Sequence, residues 1–254
     1  GASTGRHELD RNALGPWVSS VRGLGDIDLD PLAMALWHIL PIAGWRLPTS
    51  VVGRGTDLTD ATESARAAER GKFDAIFIAD AQGFRKVEGK AVFARTPTMS
   101  IDPIVLLSAI AAQTDKVGLI GTASTSYNEP FALARRFAAL DHVSRGRAGW
   151  NIVTSTTESE AHNFGRDAHF GHEERYHRAA EFVDVVTKLW DSWEDGAILA
   201  DKESGRYIDP DKLHGVAHHG EHFRVSGPMT GPRTPQGYPV LVQAGASDTG
   251  KKFA

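Results

Sequence analysis

Residues 122–155 constrain the fold of this chain more than any other stretch. They start at the polar end of one predicted strand, turn at residues 128–130, and finish in a second strand that ends at Ser155. Between the strands lies a predicted helix with an apolar stripe of Phe131, Ala134, Phe137, Ala138 and Leu140, while Arg135, Arg136 and Asp141 lie outside it. This order predicts a βαβ unit with parallel strands.

Strand and helix signals alternate in the same way along most of the chain. Predicted strands lie within residues 32–40, 73–80, 117–122, the stretch ending at 155, and 238–245, and predicted helices lie at about 57–70, 102–114 and 173–193. Right-handed crossovers between successive parallel strands predict an α/β fold, a (β/α)8 TIM barrel of which about five βα units are present. Because five strands leave two open edges, we expect three further units beyond residue 254, or closure by another copy in a homo-oligomer.

The remaining segments divide the chain further. Residues 1–30 are rich in Gly, Ser and Asp without a sustained period, which predicts a flexible leader. Residues 31–254 are then predicted to be the N-terminal part of a single TIM-barrel domain, and the Gly-, His- and Pro-rich residues 196–235 predict an excursion that carries a hairpin.

Composition excludes several classes of function. The net charge is −4 and the 28 basic residues are dispersed, which argues against nucleic-acid binding. The longest apolar run, residues 31–45, is interrupted by His38, Pro41 and Gly44 and is shorter than the roughly 20 residues of a membrane span. The absence of cysteine and of a signal peptide favours the cytoplasm.

Polar side chains end both strands of the central βαβ unit. Thr122, Ser124 and Thr125 close the first strand, and Asn151 and Thr154 lie in the closing part of the second. Parallel α/β folds bind ligands at the carboxyl ends of their strands, so we expect the functional site at this edge.

Several segments match a known family in order and spacing. They are residues 69–80, 122–155, 163–166, 174–182, 189–193, 219–223 and 235–247. With these segments the chain resembles the bacterial luciferase-like FMN-dependent monooxygenases, in the branch of the nitrilotriacetate, EDTA and dibenzothiophene-sulfone monooxygenases. The resemblance implies a TIM barrel that receives reduced FMN from a separate NAD(P)H:flavin reductase. With O₂, the flavin forms a C4a-peroxyflavin that oxygenates a small organic substrate. The lack of a G-x-G-x-x-G motif after a strand agrees with a separate reductase.

The resemblance also implies positions for the flavin. They are Asp80, Thr122, His172, Tyr176 and Ser247, and Asn151 is a further candidate beside the ring. A helix N-terminus after Ser247 would favour the flavin phosphate, and His172 and Tyr176 would share one helix face. Each position also has a structural interpretation: a helix cap for Ser247 and His172, core packing for Tyr176, and hydrogen bonding at the barrel rim for the other three.

Two alternatives belong to other functional classes. His218, Glu221 and His222 fit the H-x-x-E-H pattern of zinc hydrolases, but that pattern requires a helix, and Gly220 and the residues after it indicate strand and turn instead. The other alternative is an inactive barrel fragment that serves as a scaffold.

Overall fold

The computed structural model describes residues 20–22, 34–37, 46, 48, 56–84, 90–94, 101–244 and 248–253. Within them the strands are β1 (Ser20–Arg22), β2 (Met34–Trp37), β3 (Ala75–Ile78), β4 (Gly118–Ser124), β5 (Ala148–Val153), β6 (His218–His219), β7 (Arg224–Val225) and β8 (Val240–Gln243). The helices are α1 (Leu58–Arg70), α2 (Lys90–Phe93), α3 (Pro103–Ala111), α4 (Pro130–Ser144), α5 (Glu158–Asn163), α6 (His172–Trp190) and α7 (Asp248–Phe253).

Six of these strands form one sheet in the order β1-β8-β5-β4-β3-β2. β2, β3, β4, β5 and β8 run parallel to one another. The predicted α/β class and the five parallel strands are therefore confirmed. β1 pairs antiparallel with β8. It lies inside residues 1–30, where no sequence signal indicated a strand.

Local sequence signals explain where α1 begins and ends. The Asp57 carboxylate accepts a hydrogen bond from the Thr59 main-chain N–H at 2.8 Å, and Gly71 follows the last turn, in agreement with the helix predicted at about 57–70. The buried face of the helix consists mostly of small residues, namely Ala61, Thr62, Ala65 and Ala68. This face lets α1 pack closely against the sheet and α3.

The end of α4 corrects one prediction. Arg145 adopts the left-handed conformation (φ 60°) and Gly146 follows with φ 84°, which closes the helix. Asp141, predicted to lie outside the apolar stripe, is fully buried. Its carboxylate accepts hydrogen bonds from the Ala148 N–H at 3.1 Å and the Gln236 side chain at 2.5 Å. A buried charge is tolerated here because main-chain and amide donors pair with it.

Trp150 on β5 lies at the centre of the core. Its ring is within 6.3 Å of the rings of Phe137, Phe182 and Trp190, which come from α4 and α6. The indole N–H of Trp150 donates to the Ala123 carbonyl at 3.0 Å, so this large side chain is buried without an unpaired donor. The Trp150 ring thereby links β5 to α4 and α6.

Two further differences concern the second half of the chain. The helix predicted at 173–193 runs from His172 to Trp190, and the short helix α5 lies in a segment for which only a polar insertion was predicted. The predicted hairpin is present as the antiparallel pair β6 and β7.

Among the described residues, no helix combines the length and the apolar character that crossing a lipid bilayer requires.

Candidate functional site

Buried polar side chains collect at the carboxyl ends of β4 and β5. They are Thr122, Ser124, Thr125, Ser126, Asn151, Thr154 and Ser155, each less than one-tenth exposed. Burying a polar group destabilises the folded protein unless the group forms a hydrogen bond. Their hydrogen-bond partners therefore show which of them remain available to a ligand.

Asn151 has one atom that the protein leaves unpaired. Thr122 and Asn151 are neighbours in the register of β4 and β5, and the Asn151 Nδ2 donates to the Thr122 hydroxyl at 2.9 Å. The Asn151 Oδ1 is buried and accepts no hydrogen bond from the described residues. A buried acceptor without a donor is unfavourable by about 1–3 kcal/mol, so this atom is suited to a ligand N–H or O–H.

Glu160, which no sequence prediction included, is the main hydrogen-bond acceptor of the edge. Its Oε1 accepts from the Gln82 N–H at 3.1 Å and from the Ser155 hydroxyl at 3.0 Å, and Ser124 contacts Ser155 at 2.7 Å. Its Oε2 accepts from the Thr157 hydroxyl at 2.8 Å. The Thr157-x-x-Glu160 spacing is that of a capping box, and this spacing is the sequence signal that could have indicated Glu160.

Two carboxyl groups at this edge have pKa values displaced in opposite directions. Burial alone would raise the pKa of Glu160, but the hydrogen bonds from Thr157, Gln82 and Ser155 outweigh it and hold the pKa below its ordinary value. Burial raises the pKa of Asp80, which is half-buried just after β3, and the Asp102 and Glu160 carboxylates add to the rise against a hydrogen bond from Ala81. Asp80 therefore takes up a proton more readily than an exposed aspartate.

His172 and Tyr176 form a second group at the start of α6. Their ring centroids are 5.2 Å apart, so the predicted shared helix face is present. Tyr176 also meets Phe253 of α7 edge to face at 5.8 Å. Ser247, which precedes α7, lies outside the described residues, and its predicted role stays a prediction. Within the part of the chain that the structure describes, no hydrogen bond or ring contact joins this group directly to Thr122 or Asn151.

A Tyr–His pair at the same edge was missed by the sequence prediction. The Tyr127 hydroxyl is hydrogen-bonded to the His169 Nδ1, and the Tyr127 ring stacks on Phe164 with centroids 4.9 Å apart. Tyr127 and His169 are 42 positions apart, a separation that matches no motif spacing, so no sequence signal linked them.

The histidine-rich hairpin does not have the geometry of a zinc hydrolase site. His218 lies in β6, and its Nε2 contacts the Glu181 carboxylate of α6 at 3.0 Å. Glu181 also accepts from the main-chain N–H groups of His222 and Phe223, each at 2.9 Å. The H-x-x-E-H residues therefore form a hairpin rather than a helix, as expected, and the hydrolase alternative is not favoured.

Comparison with known proteins identifies the family of the chain. Residues 39–254 match the family model described as luciferase-like monooxygenase. The chain is 51% identical over 218 residues to nitrilotriacetate monooxygenase component A of Aminobacter aminovorans, covering 83% of this chain and 48% of that protein.

Two solved structures have the same fold. A crystal structure of a long-chain alkane monooxygenase superposes with a TM-score of 0.80 at 41% identity, over 84% of this chain and 50% of that chain. A riboflavin lyase crystallised with modified FMN and riboflavin gives a TM-score of 0.80 at 37% identity, over 87% of this chain and 51% of that chain.

The chain spans about half the length of the curated relatives that it matches. The family match nevertheless covers most of this chain, and the parallel strands observed here are those of the luciferase-like barrel. The predicted family and fold are thereby confirmed, and the chain belongs to the luciferase-like monooxygenase family.

Proposed function

We propose that this chain contributes the flavin site of a two-component monooxygenase. The enzyme uses reduced FMN from a separate NAD(P)H:flavin reductase, together with O₂, to oxygenate a small organic substrate. The name "component A" of the nitrilotriacetate relative supports a division of labour between proteins. Homo-oligomerisation and a cytoplasmic location remain predictions from sequence.

The observation that carries this proposal is the unpaired Oδ1 of Asn151. A flavin ring presents alternating N–H donors and carbonyl acceptors along its polar edge, and a buried amide oxygen complements such an N–H group. Thr122 holds the amide in place through its hydroxyl. The residues present therefore fit the cofactor, which supplies the redox and oxygen chemistry when bound.

Other residues of the site have complementary tasks in this proposal. Asp80, whose pKa burial raises, can donate or accept a hydrogen bond at the ring. His172 and Tyr176 face the ribityl chain and phosphate, and Ser247 binds the phosphate in front of α7. The aromatic and hydroxyl-lined edge keeps water away from the reacting atoms.

Replacing Asn151 with leucine should weaken FMN binding by about tenfold, because the flavin N–H loses its buried acceptor while the side-chain volume is nearly conserved. The dissociation constant is measured by quenching of FMN fluorescence with the intact protein. Asn163→Leu is the matched control, since Asn163 is exposed on the neighbouring helix α5, and its affinity should stay within about twofold of wild type.

An Asn151→Leu protein that binds FMN as tightly as wild type would contradict the site. The activity itself is tested by substrate-dependent oxygen uptake with NADH, FMN and a flavin reductase, using nitrilotriacetate as the first probe. A wild-type protein without measurable FMN binding would refute the proposed function.

A further inference from the structure

Tyr127, which is buried, and His169, which is partly buried, form a hydrogen-bonded pair. Tyr127 follows β4 and is only 7% exposed. Its hydroxyl is bonded to the His169 Nδ1, and the main-chain N–H of His169 donates to the Glu158 carboxylate at 2.9 Å. One hydrogen bond thus fixes the imidazole ring of His169, and another fixes its main chain.

The other ring nitrogen of His169 is buried and unpaired. Its Nε2 has no hydrogen-bond partner among the described residues. If the Tyr127 hydroxyl donates to Nδ1, the neutral imidazole carries its proton on Nε2, and one donor is left unpaired. If Nδ1 donates to Tyr127 instead, both the tyrosine proton and the Nε2 lone pair lack partners. The first arrangement leaves fewer buried polar atoms unsatisfied and is therefore favoured.

The protonation state of Tyr127 agrees with this direction of donation. Burial raises the pKa of Tyr127, and the Glu160 and Glu158 carboxylates add to the rise while Arg166 and Arg175 oppose it. The phenol therefore keeps its proton across the neutral range and remains a donor.

We infer that the His169 Nε2–H donates a hydrogen bond to the bound flavin, and that Tyr127 is the positioning residue that fixes the required tautomer. This inference rests on the proposed function. The pair lies in the segments that follow β4 and β5, at whose carboxyl ends Asn151 presents its unpaired acceptor. One free donor and one free acceptor match the alternating carbonyl and N–H groups of a flavin.

Two substitutions of His169 distinguish loss of the Nε2–H donor from loss of the hydrogen bond between Nδ1 and Tyr127. Asparagine places its amide near the Nδ1 position and keeps a partner for Tyr127, but it removes the outward donor. Glutamine places an N–H near the Nε2 position. His169→Asn should weaken FMN affinity by about tenfold, and His169→Gln by less than about threefold. Equal losses in both variants, or no loss in either, would overturn the inference.

A second measurement needs no substitution of the histidine. Long-range ¹⁵N–¹H correlation spectra of the intact protein should show His169 as the Nε2–H tautomer, and Tyr127→Phe should shift it toward a mixture with the Nδ1–H form. A wild-type Nδ1–H tautomer would refute the assignment even if no His169 variant folds. If wild type binds FMN but the asparagine and glutamine variants do not differ, only this inference fails and the proposed function stands.

Discussion

Replacing Arg147 with methionine is expected to lower the free energy of unfolding by about 4 kcal/mol. The guanidinium group donates to the Ser144 carbonyl at 2.7 Å, to the Val117 carbonyl at 2.7 Å and to the Ala111 carbonyl at 3.1 Å. It also donates to the Thr114 carbonyl at 2.9 Å and hydroxyl at 3.1 Å. The Arg147 side chain, which directly precedes β5, thus binds main-chain carbonyls at or near the ends of α3 and α4.

Methionine fills much of the same volume but donates nothing, so several carbonyls lose their partner at once. Burial lowers the pKa of Arg147, and the Glu69 and Asp115 carboxylates oppose that effect, so the group remains charged. Arg147→Lys should recover less than half of the loss, because one ammonium cannot reach carbonyls on both sides.

Chemical denaturation of the intact protein measures this effect. Arg135→Met is the matched control, since Arg135 is exposed on α4, and its unfolding free energy should stay within about 0.5 kcal/mol of wild type. An Arg147→Met protein as stable as this control would show that water replaces the guanidinium without loss.

The parts of the fold that were predicted correctly carry local signals. Asp57 and Gly71 mark the two ends of α1, and the turn predicted at 128–130 leads directly into α4, which begins at Pro130. Asp141 was predicted wrongly because its partner Gln236 lies 95 residues away, and a charged side chain ordinarily indicates an exposed position. β1 was missed because its pairing with β8 depends on the sheet rather than on a periodic pattern.

The same difference between local sequence signals and contacts of distant residues applies to the candidate site. Thr122 and Asn151 were found because polar residues that end parallel strands indicate a ligand edge, and the structure places them in contact. Tyr127 and His169 were not found because their pairing arises from two loops that only the tertiary fold brings together. The roles of all four residues in binding remain predictions. The FMN titrations test Asn151 and His169, and the tautomer measurement tests Tyr127.

Glu160 connects the loops that follow β3 and β5 through its hydrogen bonds. Its replacement should also lower the free energy of unfolding strongly. Besides Gln82, Ser155 and Thr157, the Thr156 N–H approaches its Oε2 at 3.4 Å. The two loops are so close that a Cβ on Gly83 would lie 2.6 Å from the Ser159 hydroxyl. In Glu160→Gln, one end of the amide becomes a donor that faces other donors. We expect a loss of about 3 kcal/mol in unfolding free energy at pH 7.

The pH dependence of that loss identifies its cause. The pKa of Glu160 in the folded state is held below its ordinary value by the hydrogen bonds described above. Its contribution is therefore fully present above the pKa of the unfolded state and is lost as the pH falls through the folded-state pKa. The difference in unfolding free energy between wild type and Glu160→Gln should accordingly be largest at neutral pH and should narrow under acid conditions.

Urea denaturation of the intact protein across a pH series measures this difference. Glu63→Gln serves as the control, because Glu63 is exposed on α1 and its substitution should give only a small difference in unfolding free energy. A Glu160→Gln difference that stayed constant down to acid pH would mean that the ionised carboxylate is not what holds the two loops together. The loss would then have to come from the amide N–H groups that Gln introduces, and the edge would keep its order when Glu160 is protonated.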